Sequence, residues 1–105
     1  MSLYGSWIAA TIADGGTSSD AIDLGKDYEW VQIQIPEITS ANISFTVAEK
    51  IADTYYALGS GSQVITAGEG GFATVAIIGG FQFIKVVSSE EQGAERLIRV
   101  RGSRR

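Results

Sequence analysis

The chain has 105 residues, 45% of them hydrophobic and 19% charged, and 12 Asp and Glu against 8 Lys and Arg give a net charge of −4. That length fits one domain, residues 1–105, which hides roughly 60 to 65% of the surface of its unfolded chain, and the apolar content is too high for a disordered segment. Neither Cys nor His is present, which excludes disulfides, thiolate nucleophiles, imidazole bases and metals held by Cys or His.

The first stretch, "MSLYGSWIAATIADGG", lacks the basic region that begins a signal peptide. Within it, Trp7 to Ala13 reads as a strand closed by the turn signal Asp14-Gly15-Gly16. "DAIDLG" follows as a brief edge segment, with Ile22 and Leu24 facing one way. The clearest strand is "YEWVQIQIP": Val31, Ile33 and Ile35 share one face, Gln32 and Gln34 the other, and Pro36 is expected to end the ladder because it has no N–H. "ANISFTVAE" repeats the alternation, with Ile43, Phe45 and Val47 inward.

Two Gly-rich hinges, at Gly59 to Gly61 and Gly68 to Gly71, separate short strands around Tyr55 to Leu58, Gln63 to Ala67 and Phe72 to Ile78. Then come "FQFIKVVSS" and "ERLIRVRG". Ile38 to Ala41 and Glu90 to Ala94 read as loops or single turns. The total is about eight strands and no helix, the pattern of an all-β antiparallel sandwich. Apolar runs such as Ala73 to Ile78 fall far short of the roughly 20 residues of a helical membrane span, and no membrane partner is expected.

Carboxylates are the available catalytic groups. Asp14, Asp20 and Asp23 flank the first turn, where a pair could serve a glycosidase or hold calcium. Asp in such a turn more commonly caps local backbone N–H groups, the spacing is not that of an EF-hand loop, and 105 residues leave little room for a hydrolase cleft. "GSGS" and "GEGG" lack the Lys-Ser/Thr of a phosphate-binding loop and read as hairpin turns. No enzyme activity, cofactor or metal is therefore expected. Trp30, Tyr55 and Tyr56 are candidates for a flat ligand platform, as for a sugar ring, with packing on a sandwich face as the alternative for Trp30.

Charge is segregated along the chain. Residues 1–95 hold three Lys against twelve carboxylates, a net −9, whereas residues 96–105 hold five Arg and no acid. In "RLIRVR", alternation sets Ile98 and Val100 on one face and Leu97, Arg99 and Arg101 on the other, and residues 102–105 form a basic tail with Arg104 and Arg105. An otherwise acidic domain would repel phosphate, which argues against nucleic acid. An acidic patch on a neighbouring protein, including another copy of this chain, suits these arginines better; the plain alternative is that they are simply solvated.

Three segments carry a resemblance: Ser18 to Glu49, Phe81 to Ser89 and Glu91 to Gly102. Ile22, Asp23, Leu24 and Gly25, then Pro36, then Ile43, Phe45 and Val47, then "FIKV", and finally "QGAERLIRV" are similar to the motifs of small phage virion proteins with a discoidin-like, galactose-binding-like β-sandwich. The resemblance covers about two thirds of the chain. It implies a jelly-roll sandwich and a non-enzymatic virion component, most concretely a capsid decoration or other head-associated protein that oligomerises on the particle. The implied partners are the major capsid protein or other virion proteins, with Arg99, Arg101, Arg104, Arg105, Trp7 and Tyr4 as the interface. A tail or baseplate component, or a carbohydrate-binding module, are the alternatives.

Overall fold

The computed structural model describes residues 5–58 and 64–103. The chain forms five strands, β1 (Ile8–Ile12), β2 (Ile22–Ala48), β3 (Tyr56–Ala57), β4 (Ile65–Ser88) and β5 (Arg96–Ser103). All their pairings are antiparallel. The sheet curls into two layers because β2 and β4 are long enough to serve in both. In the first layer the order is β1, β5, the Trp30–Gln34 stretch of β2, and the Phe72–Ile77 stretch of β4. In the second, the Phe83–Ser88 half of β4 lies between Ile22–Asp23 and Ile43–Ala48, with β3 and Ile65 beyond the latter. This is an all-β, jelly-roll-type sandwich in which bent strands switch layers at the corners.

The described residues therefore form five strands, where the sequence suggests about eight. Pro36 does not end its strand, and Ile38 to Ala41 is not a loop: β2 continues to Ala48 with Ile38 and Ala41 buried. The missing Pro36 N–H falls at the bend, where the pairing register shifts between Glu37 and Ala41. The Gly68 to Gly71 hinge is likewise a bend inside β4. Gly70 has φ of +77° and lies so close to Pro36 that a Cβ would collide with the Pro36 carbonyl oxygen, so the two bends can nest only with glycine there. The Gly59 to Gly61 hinge lies outside the described residues.

The alternation read from the sequence holds inside these strands. Val31, Ile33, Ile35, Ile43, Phe45 and Val47 point into one apolar cluster with Ile84, Val86, Ile98 and Val100. Tyr28 closes one end of it. Its ring faces Gly102, where any Cβ would overlap the ring, and that contact explains a glycine inside β5.

One buried polar side chain holds the other end together. Gln92 is almost fully buried in the β4–β5 loop. Its amide pairs both backbone groups of Thr39 in the β2 bend: the Thr39 N–H donates to Gln92 Oε1 at 2.8 Å, and Gln92 Nε2 donates to the Thr39 carbonyl at 3.2 Å. Nε2 also lies 3.0 Å from Ser88 Oγ, while Arg96 Nε donates to Oε1 at 3.2 Å. The Gln92 backbone meanwhile accepts from the Gly15 N–H at 2.7 Å and donates to the Gly16 carbonyl at 3.0 Å. A side-chain amide thus replaces the strand neighbour that the bend removes.

Phe45→Ala should lower unfolding free energy by about 3 to 5 kcal/mol in urea titration, the cost of emptying a buried aromatic site; a near-neutral result would contradict the register. Gln92→Leu keeps the volume but removes the amide. It should cost about 1 to 3 kcal/mol, and an unchanged denaturation midpoint would show that the Thr39 pairing contributes nothing to stability.

Candidate functional site

The outer face of the first layer gathers most of the residues singled out from the sequence. The β1–β5 and β5–β2 registers set Ile8 opposite Val100, Val100 opposite Ile33, and Arg101 opposite Gln32, which in turn lies opposite Val75 of β4. A row therefore crosses the sheet as Trp7, Arg101, Gln32, Val75. The next row is Ala9, Arg99, Gln34, Ala73, and the third begins with Thr11 and Leu97. Because Ile98 and Val100 are fully buried, Leu97, Arg99 and Arg101 must face out.

Neighbours on the same face hold Arg101. Its Nε donates to Gln32 Oε1 at 2.6 Å, and its guanidinium lies 4.7 Å from the centroid of the Trp7 ring, in cation–π range. Arg99 is exposed beside Gln34 and Leu97. With Pro36, Phe72 and Ala73 these three line a shallow hollow of about 420 Å³.

The composition of this face is unusual for so acidic a chain. The residues alternating outward on its four strands include Trp7, Trp30, Val75, Ile77 and Leu97 but no carboxylate, and Arg99 and Arg101 supply its charge. Leu97, Val75 and Ile77 keep 49%, 46% and 44% of their surface exposed. Exposed apolar side chains interspersed on one face suit a contact site, and arginine among them is the cation best suited to a partly desolvated protein interface.

The remaining candidates divide between the two layers. Trp30 belongs to this face, opposite Ser103 and Ile77. Tyr56 instead pairs with Val47 in the second layer, and Tyr55 lies under Lys85, whose Nζ is 4.6 Å from the ring centroid. The three rings thus divide between two layers and share no hollow, so they do not form one platform. Tyr4, Arg104 and Arg105 lie outside the described residues. Asp23 caps the Gly25 N–H at 2.8 Å and accepts from Gln82 Nε2 at 2.8 Å, a turn-stabilising role. Among the described residues, no cluster of three or more carboxylates is placed to hold a metal ion.

A second hollow, of about 590 Å³, opens beside β3. Val47, Leu58 and Phe81 form its apolar floor, and Glu49, Asp53 and Tyr56 stand around it. Sequence reading missed it and Phe72 in the first hollow, because both depend on which half of β4 meets which part of β2.

No protein-family model matches the chain, and no curated protein matches it by sequence. Solved structures do. The SPBc2 prophage-derived protein YomS aligns over 97% of this chain and 96% of its own, with a TM-score of 0.52 and 14% identity. Chitosan-binding module 1 of a chitosanase/glucanase from Paenibacillus sp. IK-5 aligns over 90% of this chain and 75% of its own, at TM-score 0.52 and 14% identity. A putative alpha-L-fucosidase from Bacteroides thetaiotaomicron matches 90% of this chain with 21% of its own length, at TM-score 0.53 and 15% identity. At these identities the likeness is one of fold: a β-sandwich shared by a prophage protein, a binding module and part of a larger enzyme.

Proposed function

We propose that this protein is a non-catalytic structural component of a bacteriophage particle, a capsid decoration or head-associated protein, and that it docks through the outer face of the β1–β5–β2–β4 layer. The observation that carries the reading is the segregation on that face: exposed Leu97, Val75, Ile77 and Trp7 around Arg99 and Arg101, with no carboxylate among the outward-alternating residues. Such a surface suits a partly apolar partner bearing acidic groups, such as the major capsid protein or another virion protein. The sequence motifs shared with phage virion proteins support the assignment. So does the likeness to the prophage-derived YomS, in which this fold makes up nearly the whole chain.

The arginines have a mechanical role in this reading. Gln32 and Trp7 hold the Arg101 guanidinium flat against the sheet, so little side-chain freedom remains to be lost on docking. Arg99 projects beside the hollow lined by Leu97 and Phe72, where an acidic side chain of the partner would be met by charge and its stem by apolar surface. A carbohydrate-binding role is the second reading, supported by the fold shared with the chitosan-binding module and by the Gln34, Arg99 and Phe72 side chains around the first hollow.

Quantitative mass spectrometry of purified particles, counting this protein against the major capsid protein, tests the assignment. Copy numbers comparable with the capsid protein are expected. A few copies per particle would move it to the tail or a vertex, and complete absence would overturn the virion reading.

A further inference from the structure

If the protein oligomerises on a particle, the face just described restricts how. A two-fold contact through it would place it against its own copy, and neither copy would offer a carboxylate to Arg99 or Arg101. The arginines of both copies would then share a partly desolvated interface without an anion from either face, which disfavours such a contact. Charge therefore favours a heterologous contact, with the basic face of one copy on a different surface of the next.

The molecule carries a surface that fits. The hollow beside β3 has Val47, Leu58 and Phe81 beneath it, Glu49 and Asp53 exposed at its margin, and Tyr56 with 69% of its surface exposed. It thus joins an apolar floor to two carboxylates and an open aromatic face, the three features that receive an arginine with adjoining aliphatic side chains. The local field is negative as well: burial first, then the charges of Asp23 and Asp53, raises the Tyr55 phenol above its ordinary value. The nearby cation Lys85 is already placed over the Tyr55 ring. The hollow and the basic face lie on different layers of the sandwich, so each copy can use both at once.

We infer that the chain assembles head to tail, the Leu97–Arg99–Arg101 face of one copy seated on the Glu49–Asp53–Tyr56 hollow of the next. A second copy is the occupant that charge complementarity selects, because the same sequence supplies both the carboxylate-free basic face and the acid-rimmed aromatic hollow. Such a contact leaves one unused face at each end, so it propagates until a ring closes. The inference rests on the docking role of the basic face, and it adds the identity and polarity of the partner surface.

Two charge reversals test it, Arg99→Glu in the donor face and Asp53→Arg in the acceptor hollow. Both sites are exposed, and circular dichroism with thermal melting verifies that each variant folds. By sedimentation velocity at low ionic strength, the full wild-type chain should form closed oligomers. Each variant alone should associate at least about tenfold more weakly. Mixed together, the two should associate again, since the native face of Asp53→Arg fits the native hollow of Arg99→Glu and the reversed face and reversed hollow are once more of opposite sign. A monomeric wild type overturns the inference, as does a mixture that stays monomeric or an Arg99→Glu variant that oligomerises like wild type. Particle copy number is read independently, so a protein abundant on particles yet monomeric in solution would sink head-to-tail assembly and leave the virion role standing.

Discussion

The structure depends on two strands that bend without losing their backbone partners. A sheet of 27- and 24-residue strands can fold into two layers only where the ladder is interrupted, and every interruption exposes N–H and C=O groups that need replacement partners. At the β2 bend the replacement is the Gln92 side-chain amide, which offers Thr39 the acceptor and donor that a neighbouring strand would have supplied. The same residue reaches the β1–β2 turn through its backbone. Loop, bend and turn are thereby tied to one buried group, and the end of the sandwich carrying the first hollow is fixed with them.

Once the layers are set, the position of β5 decides the surface chemistry. It lies between β1 and β2, so its inward Ile98 and Val100 are central to the core while its outward Leu97, Arg99 and Arg101 stand in the middle of a four-strand face. Arg99 and Arg101 of the basic segment therefore stand at the centre of a surface. Their neighbours across the sheet are Gln, Ala, Val and Trp instead of the carboxylates that abound elsewhere. Under the proposed docking role this composition has a reason, since unpaired carboxylates inside an interface would be desolvated at a cost.

Much of this was legible from alternation. Val31, Ile33 and Ile35 against Gln32 and Gln34, and Ile98 and Val100 against Leu97, Arg99 and Arg101, read the same way in sequence and in structure because a half-buried strand obliges a period of two. The bends were not legible, since Pro36 and Gly68 to Gly71 are punctuation that serves a chain break and a corner equally well. The separation of Trp30 from Tyr55 and Tyr56 followed from β3 pairing with Val47, a long-range register that composition does not carry. Gln92 stood inside the recognised Gln-x-Ala-Glu-Arg motif, and its burial became explicable only when Thr39 was seen to need a partner.

The outer face of the β1–β5–β2–β4 layer is the proposed docking surface, and side-chain footprinting with hydroxyl radicals tests that most directly. Oxidation of Trp7, Leu97, Val75 and Ile77 would be compared between the purified chain, held monomeric at high ionic strength, and the same chain on its particle. Protection concentrated on these residues is the predicted result. Unaltered oxidation across this face on particles that carry the protein would contradict the account.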